Sequence, residues 1–448
     1  MVLGTDRRVL ALAMARMADA LGNSFLIIVL PLYIASGQIA IDGIVGGQVL
    51  GFTLTEEFLI GLVLSLFGFL NSFGQPVTGR ISDRVGARRP FILGGLVVFG
   101  VASAAYPFVE SYAAILLVRA FQGLGAALTV PATVALVNDY AQSDSERGGN
   151  FGVFNTFRLI GFGFGPIVAG IVIAGGFGSD TVTQYVLGSV VLSGFNAAFA
   201  IAVIGAVVSF GLVVWLVDEP PRADADAADN LSVNVFDPDG GLDTVFAVGV
   251  ATLFMALTIA LFATLQEPIN TALGQGSTLF GLQFSAVIAA NVILQVPIGN
   301  WADEYGRRPF LVAGFAVLVP SVLAQGLVPV FTTPGTLAGP GLMLVARLLQ
   351  GVAVAMVFAP GLAVAGDLAR EGQSGTTLSV LTMAFGLGVA FGPLVSGFLY
   401  SYGLVAPFAF GAALSLLALV IVVTQVEETL GTGTVSGDGE EPAAVAQD

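Results

Sequence analysis

The sequence contains no cysteine, no histidine and no lysine, and all 15 of its basic residues are arginine. Without cysteine neither a disulfide nor a thiolate metal site can form, and no redox compartment can be read. Without lysine there is no Walker phosphate loop, which argues against ATP-driven work by this chain alone. Without histidine, a proton carried through an apolar interior must ride on a carboxylate or, less favourably, a tyrosine. Charge of either sign is scarce: 10% of residues carry it, whereas soluble domains have about 25%. What charge there is leans acidic, with 30 carboxylates, a net charge of -15 and a pI near 4.2. Nucleic acid is therefore not expected as a partner; neither a cofactor nor a metal is expected.

In place of charge stand long apolar runs, and the mean hydropathy is +0.92. A helix of roughly 20 apolar residues crosses the ~30 Å hydrocarbon core of a bilayer. Twelve such spans are expected, near 9-34, 57-78, 91-109, 112-137, 151-174, 194-217, 244-265, 279-299, 309-330, 341-365, 376-400 and 404-425. The chain is thus an all-α integral membrane protein with the lipid bilayer as its surroundings. Arg7, Arg8, Arg80, Arg84, Arg88, Arg89, Arg147, Arg222, Arg307, Arg308 and Arg370 fall on one side of this arrangement. The positive-inside rule makes that side cytoplasmic, together with both termini, in the cell membrane. A twin-arginine export signal at Arg7-Arg8 is disfavoured, because Asp19 interrupts the apolar run and no small-residue cleavage site closes it. The acidic, lysine-free composition resembles that of halophilic proteins adapted to concentrated salt; a GC-rich genome would explain the missing lysine but not the acidic excess.

The sequence repeats itself. GRISDRVGARR at 79-89 returns as GNWADEYGRR at 299-308, and Asn71, Gln75, Gly79, Asp83 and Gly86 meet Asn291, Gln295, Gly299, Asp303 and Gly306 at a shift of 220. In the fourth and tenth spans Arg119-x-x-Gln122-Gly123 returns as Arg347-x-x-Gln350-Gly351, and Asp139 as Asp367, at a shift of 228. In the fifth and eleventh, Gly161, Gly165-Pro166 and Gly170 return as Gly388, Gly392-Pro393 and Gly397 at a shift of 227. Small residues at four-residue spacing pack membrane helices generally, but packing alone does not set a shared register. The expected organisation is an N-terminal half at 1-217, an acidic Pro- and Gly-containing linker at 218-243, a C-terminal half at 244-427 and a disordered acidic tail at 428-448.

The repeated charged segment resembles the signature of the major facilitator superfamily. That resemblance implies two pseudo-symmetric six-helix halves with the substrate between them, and an inner gate formed by Gly79, Asp83, Arg84, Gly86, Arg88, Arg89, Gly299, Asp303, Gly306, Arg307 and Arg308. Asp83 can accept from the N-terminus of a neighbouring helix, and Arg84, Arg88 and Arg89 can bind carboxylates such as Asp139. Topology setting alone would also explain these arginines. The fifth span, with Gly152, Gly161, Gly165, Pro166 and Gly170, resembles the glycine pattern of the drug/proton antiporter group, departing from it at Ala169. Those glycines are expected to shape the helix against its partner and limit leakage between the halves.

Asp19 is the expected proton-coupling residue. Counted along the helix from Arg8 at ~1.5 Å per residue it lies about 16 Å into the core, a depth that Arg119 in the fourth span shares. A pair between Asp19 and Arg119 is the working expectation; a permanent ion pair that only locks the first half is its rival. Arg16 and Asn23 share the helix face of Asp19. Arg16, Arg119, Arg158 and Arg347 all lie deep, so the buried charge leans positive. Asn23, Gln122, Asn291, Gln295, Arg347 and Gln350 are the candidate substrate-cavity residues. The reading favoured is a monomeric, proton-coupled exporter of small amphiphilic molecules, not an enzyme. The alternatives are proton- or sodium-coupled import of a sugar or organic anion, and a membrane sensor or lipid-handling protein that does not transport.

Overall fold

The computed structural model describes residues 6-49, 51-141, 143-176, 182-219, 235-236, 241-368 and 374-430. Most of the expected linker and tail, together with Arg222 and Arg370, lies outside them. Twelve helices are long and apolar enough to cross a membrane. They are α1 (Arg7–Tyr33), α2 (Glu56–Val85), α3 (Arg89–Ala105), α4 (Tyr112–Asp139), α5 (Asp144–Ala174) and α6 (Gly194–Leu216), then α7 (Thr244–Thr264), α9 (Ser277–Tyr305), α10 (Arg307–Phe331), α11 (Ala338–Asp367), α12 (Ser374–Tyr400) and α13 (Val405–Gln425). A short α8 (Gln266–Leu273) follows α7. Two hairpins, β1 (Gln48–Val49) with β2 (Phe52–Thr53) and β3 (Gln184–Leu187) with β4 (Val190–Ser193), cover the face away from the described N-terminus, called the outer face below.

Local chemistry sets where the helices begin. Side-chain oxygens of Asp6, Thr55, Ser111, Ser193 and Asp243 accept from the first-turn N–H groups of α1, α2, α4, α6 and α7. Proline occurs inside eight helices without ending any of them: α1, α2, α4, α5, α9, α10, α11 and α12 each hold at least one, with two in α10. Packed neighbours make that tolerable in membrane helices.

One expectation needs correction. The charged segments, which the expected spans at 57-78 and 279-299 leave almost wholly outside the helices, are largely helical: α2 and α9 continue past their apolar cores, so that Gly79, Asp83, Arg84, Gly299 and Asp303 are helical. Gly86 (φ 76) caps α2 in the left-handed region, and Gly306 (φ 100) joins α9 directly to α10. Hydrophobicity measures only the stretch in lipid, whereas a helix runs on until a residue such as glycine turns it.

Within the first half α1 packs on α5 and α6, and α4 on α2 and α3; within the second, α7 packs on α12 and α13, and α11 on α9 and α10. The halves meet along two seams, α2 on α12 and α5 on α9.

Candidate transport site

The repeated glycines divide their labour in the same way in both halves. A methyl group at Gly161 would overlap the Met17 carbonyl of α1, and one at Gly388 would overlap the Leu253 carbonyl of α7. Gly165 lies against Leu21 and Ser24, and Gly392 against Leu257 and Ala260. These four bind each half to its own first helix. The next turn faces the other half: a methyl at Gly170 would stand 2.7 Å from the Ser277 carbonyl oxygen, and one at Gly397 would overlap that of Glu57. Gly281 and Gly61 likewise receive the carbonyls of Pro166 and Pro393. Both seams are therefore backbone-to-backbone contacts at their outer ends. Gly152 and Gly299, nearer the N-terminal face, meet nothing within 4 Å, and Gly79 meets only Pro131 of its own half. Phe52 adds a clasp across the α2–α12 seam, with its ring 4.6 Å from Phe398 and 5.1 Å from Phe58. The outer face is closed.

On the opposite face the repeat builds two similar ionic corners. Arg88 contacts Asp139 at 3.2 Å and Asp83 at 3.6 Å, while Arg307 contacts Asp303 at 3.2 Å and also Asp367. The first N–H groups after each turn are held by glutamates that the sequence reading missed. Arg88 and Arg89 donate to Glu219 at 2.7 and 2.9 Å; Arg307 and Arg308 donate to Glu428 at 2.9 and 3.0 Å. Arg89 and Arg308 also donate to the carbonyls of Val214 and Val423, each at 2.6 Å. The matching Val-Asp-Glu and Val-Glu-Glu exits of the sixth and twelfth spans were the available signal. Burial alone would raise the Glu428 carboxyl, but the N–H donors of Arg307, Leu430, Arg308 and Thr429 outweigh it and hold it below the usual carboxylate range.

The expected pair between Asp19 and Arg119 does not form. Asp19 takes Arg16, three residues back on its own helix, and the two are nearly buried. Beside them is a cavity of about 10 Å³, lined among others by Thr129, Thr133 and Ser209, enough room for one water. Arg119 is engaged elsewhere. Its Nη1 donates to Gln122 at 3.0 Å and its Nε to the Val63 carbonyl at 3.3 Å, with the guanidinium over Phe67. Arg347 repeats this clamp on Gln350 at 2.7 Å and the Gln283 carbonyl at 3.2 Å, over Phe262. Val63 and Gln283 obey the 220-residue shift, so both arginines tie equivalent helices together. Gln122, Arg347 and Gln350 are accordingly enclosed in packing, away from any open wall, because each amide is used by its arginine. Asn23, Asn291 and Gln295 are half-buried, and the carbonyl oxygens of the Asn23 and Asn291 side chains have no partner.

Arg158, half-buried on α5, was noted in the sequence only as deep charge. Its Nε and Nη2 both donate to Asn155, at 3.0 and 2.9 Å. It lies one turn inward of Gly161, whose α1 neighbour is Met17, and so on the same stretch of the α1–α5 contact as Arg16.

Twelve spans in duplicated halves, joined by glycine seams and closed on one face, have the architecture of a membrane transporter. The chain belongs to the Major Facilitator Superfamily, whose family model matches residues 12-238 and 246-445. It is similar to multidrug resistance protein 2 of Bacillus subtilis, at 24% identity over 42% of this chain and 45% of that protein. It is also similar to the human chromaffin granule amine transporter, at 23% identity over 78% of this chain and 61% of that protein. The chain thus spans less than two thirds of the length of these curated relatives. Among solved structures, a human organic anion transporter superposes with a TM-score of 0.62 and 22% identity, covering 93% of this chain and 99% of that one. Superfamily members are transporters and not enzymes.

Proposed function

We propose that this chain exports small amphiphilic molecules in exchange for protons, by alternating access, from a cell membrane in which both termini are cytoplasmic. The observation that carries the reading is Asp19, the one carboxylate among the buried side chains of the described residues. It has a partner in Arg16 and a water-sized cavity beside it, mainly apolar in its walls. Proton binding there would break an ion pair in a low-dielectric setting and so favour one conformation over the other. The glycine pattern of α5 and the likeness to a multidrug resistance protein support export. The ionic corners at Arg88 and Arg307 supply the inner gate of the cycle. The full chain in proteoliposomes tests this: an imposed pH gradient should drive substrate uphill, and Asp19→Asn should retain exchange but lose that accumulation. Intact pH-driven accumulation by the folded variant refutes the role of Asp19.

A second reading, uptake of an organic anion together with a proton or sodium ion, is favoured by one observation. The partner of Asp19 is a cation, so protonation adds positive charge to the region and would help an anion to bind. The sign of the response to the gradient separates the two, and replacing it by a sodium gradient tests the ion.

A further inference from the structure

The two halves share their scaffolding device by device, so a feature present in only one half stands out. The contacts of Gly161 and Gly165 on Met17 and Leu21, set against those of Gly388 and Gly392 on Leu253 and Leu257, place α1 and α7 in register at a shift of 236. Under that register Arg16, Asp19 and Asn23 correspond to Thr252, Met255 and Ile259; at the α5–α12 shift of 227, Asn155 and Arg158 correspond to Thr382 and Phe385. The first half thus carries a polar cluster where the second carries mainly apolar groups, with the rings of Phe385 and Phe358 5.3 Å apart.

Of the deep arginines, Arg119 and Arg347 are mates, each fixed to a carbonyl and a glutamine. Arg16 and Arg158 have no mates. Arg16 is neutralised by Asp19, yet its Nε is buried without a partner. Arg158 meets only a neutral amide oxygen, through Nε and Nη2. Its Nη1 has no partner among the described residues. Two neighbouring cations with one carboxylate leave a positive charge unmet at membrane depth, where an unpaired charge is costly. Arg158 also lies five residues inward of Gly163, the innermost α5 glycine that touches α9, through Ile288. That is about 7.5 Å along the helix, where the tight part of the seam ends.

We propose that Arg158, with Arg16 behind it, is the subsite for the anionic group of an amphiphilic substrate, a carboxylate or similar oxyanion, whose apolar body lies toward Phe358 and Phe385. Guanidinium groups suit this task, since their planar fork matches a carboxylate. The assignment concerns equilibrium binding and holds for either direction of transport, whether or not Asp19 carries the proton.

The test uses the purified full chain in lipid nanodiscs, without any gradient. Benzoate, 1-naphthoate and decanoate are each compared with their neutral amide and their ammonium analogue, by ligand-induced thermal shift and then titration. At least one carboxylate should bind at least about ten-fold more tightly than both of its analogues, as a charge-assisted contact implies. Arg158→Gln, which keeps a donor for Asn155, should abolish that preference, and Arg158→Lys should restore part of it. The melting temperature without ligand checks that each variant is folded. An ammonium preference, a preference unchanged in Arg158→Gln, or no response to any of the three carboxylates overturns the assignment. None of these outcomes bears on Asp19, which gradient-driven transport tests separately.

Discussion

Replacing Gly170 by alanine should open the outer face. The new methyl would stand 2.7 Å from both the Ser277 carbonyl oxygen and the Thr278 Cα, atoms of the α9 backbone that cannot rotate away. Overpacking of this kind costs roughly 1–3 kcal/mol. The cost falls only on the outward-closed state, because α5 and α9 no longer touch there once the face opens. The closed-to-open ratio should therefore drop about 5- to 150-fold. Because the chain has no cysteine, a single Ser65→Cys reporter gives an unambiguous readout. Ser65 is fully buried in the other seam, where it accepts from the Leu394 N–H at 3.0 Å. Adding Gly170→Ala should raise the rate at which an impermeant maleimide labels that thiol by a comparable factor. Gly161→Ala is the control, since its methyl would strike α1 of the same half; it should lower thermal stability without speeding labelling. Unchanged labelling in Gly170→Ala, or equal acceleration in Gly161→Ala, would refute the division of the glycines into two kinds.

Glu428→Gln should cost about 0.3–1 kcal/mol at neutral pH, since the carboxylate is partly solvated at the start of α10. Its folded-state pKa is lowered, so the contribution is present above the unfolded value of about 4.3 and disappears as pH falls below it; melting curves of wild type and variant should converge in acid. Arg347→Met should destabilise the second half by about 1–3 kcal/mol, by leaving Gln350 short of a donor. Surviving protein should keep its substrate preference, and an altered preference in a transport competition assay would return Arg347 to the cavity. Finally, an impermeant thiol reagent on intact cells should fail to label a cysteine appended to the C-terminus; labelling would reverse the proposed topology.

The fold was largely legible because lipid imposes a simple rule on length and apolarity, and because the duplication left identities in α2, α4 and α5 and their mates. The fourth register, between α1 and α7, could not be read. Their residues diverge at the positions where the halves differ in chemistry, Asp19 against Met255 and Arg16 against Thr252, and only the packing of Gly161 and Gly388 aligns them. Depth along a helix placed Asp19 and Arg119 at one level but said nothing of rotation about the axis. Arg119 therefore found Val63 and Gln122 while Asp19 found Arg16. Glu219 and Glu428 were visible as the ends of a repeat, yet their role depends on two helix starts more than a hundred residues away in sequence.

The glycine seams also bear on how fast the molecule can change shape. Where interdigitated side chains separate, each must leave one conformer and find another, and the interface ratchets through intermediate fits. At Gly61, Gly170, Gly281 and Gly397 the surfaces that meet are peptide backbone already fixed by helical hydrogen bonds. Parting them sacrifices dispersion contact but resets almost no torsion angles. Such a joint behaves like two smooth rails, while the ionic corners, each confined to its own half, keep that half rigid as it moves, so the work of rocking falls mainly on whatever binds between the halves.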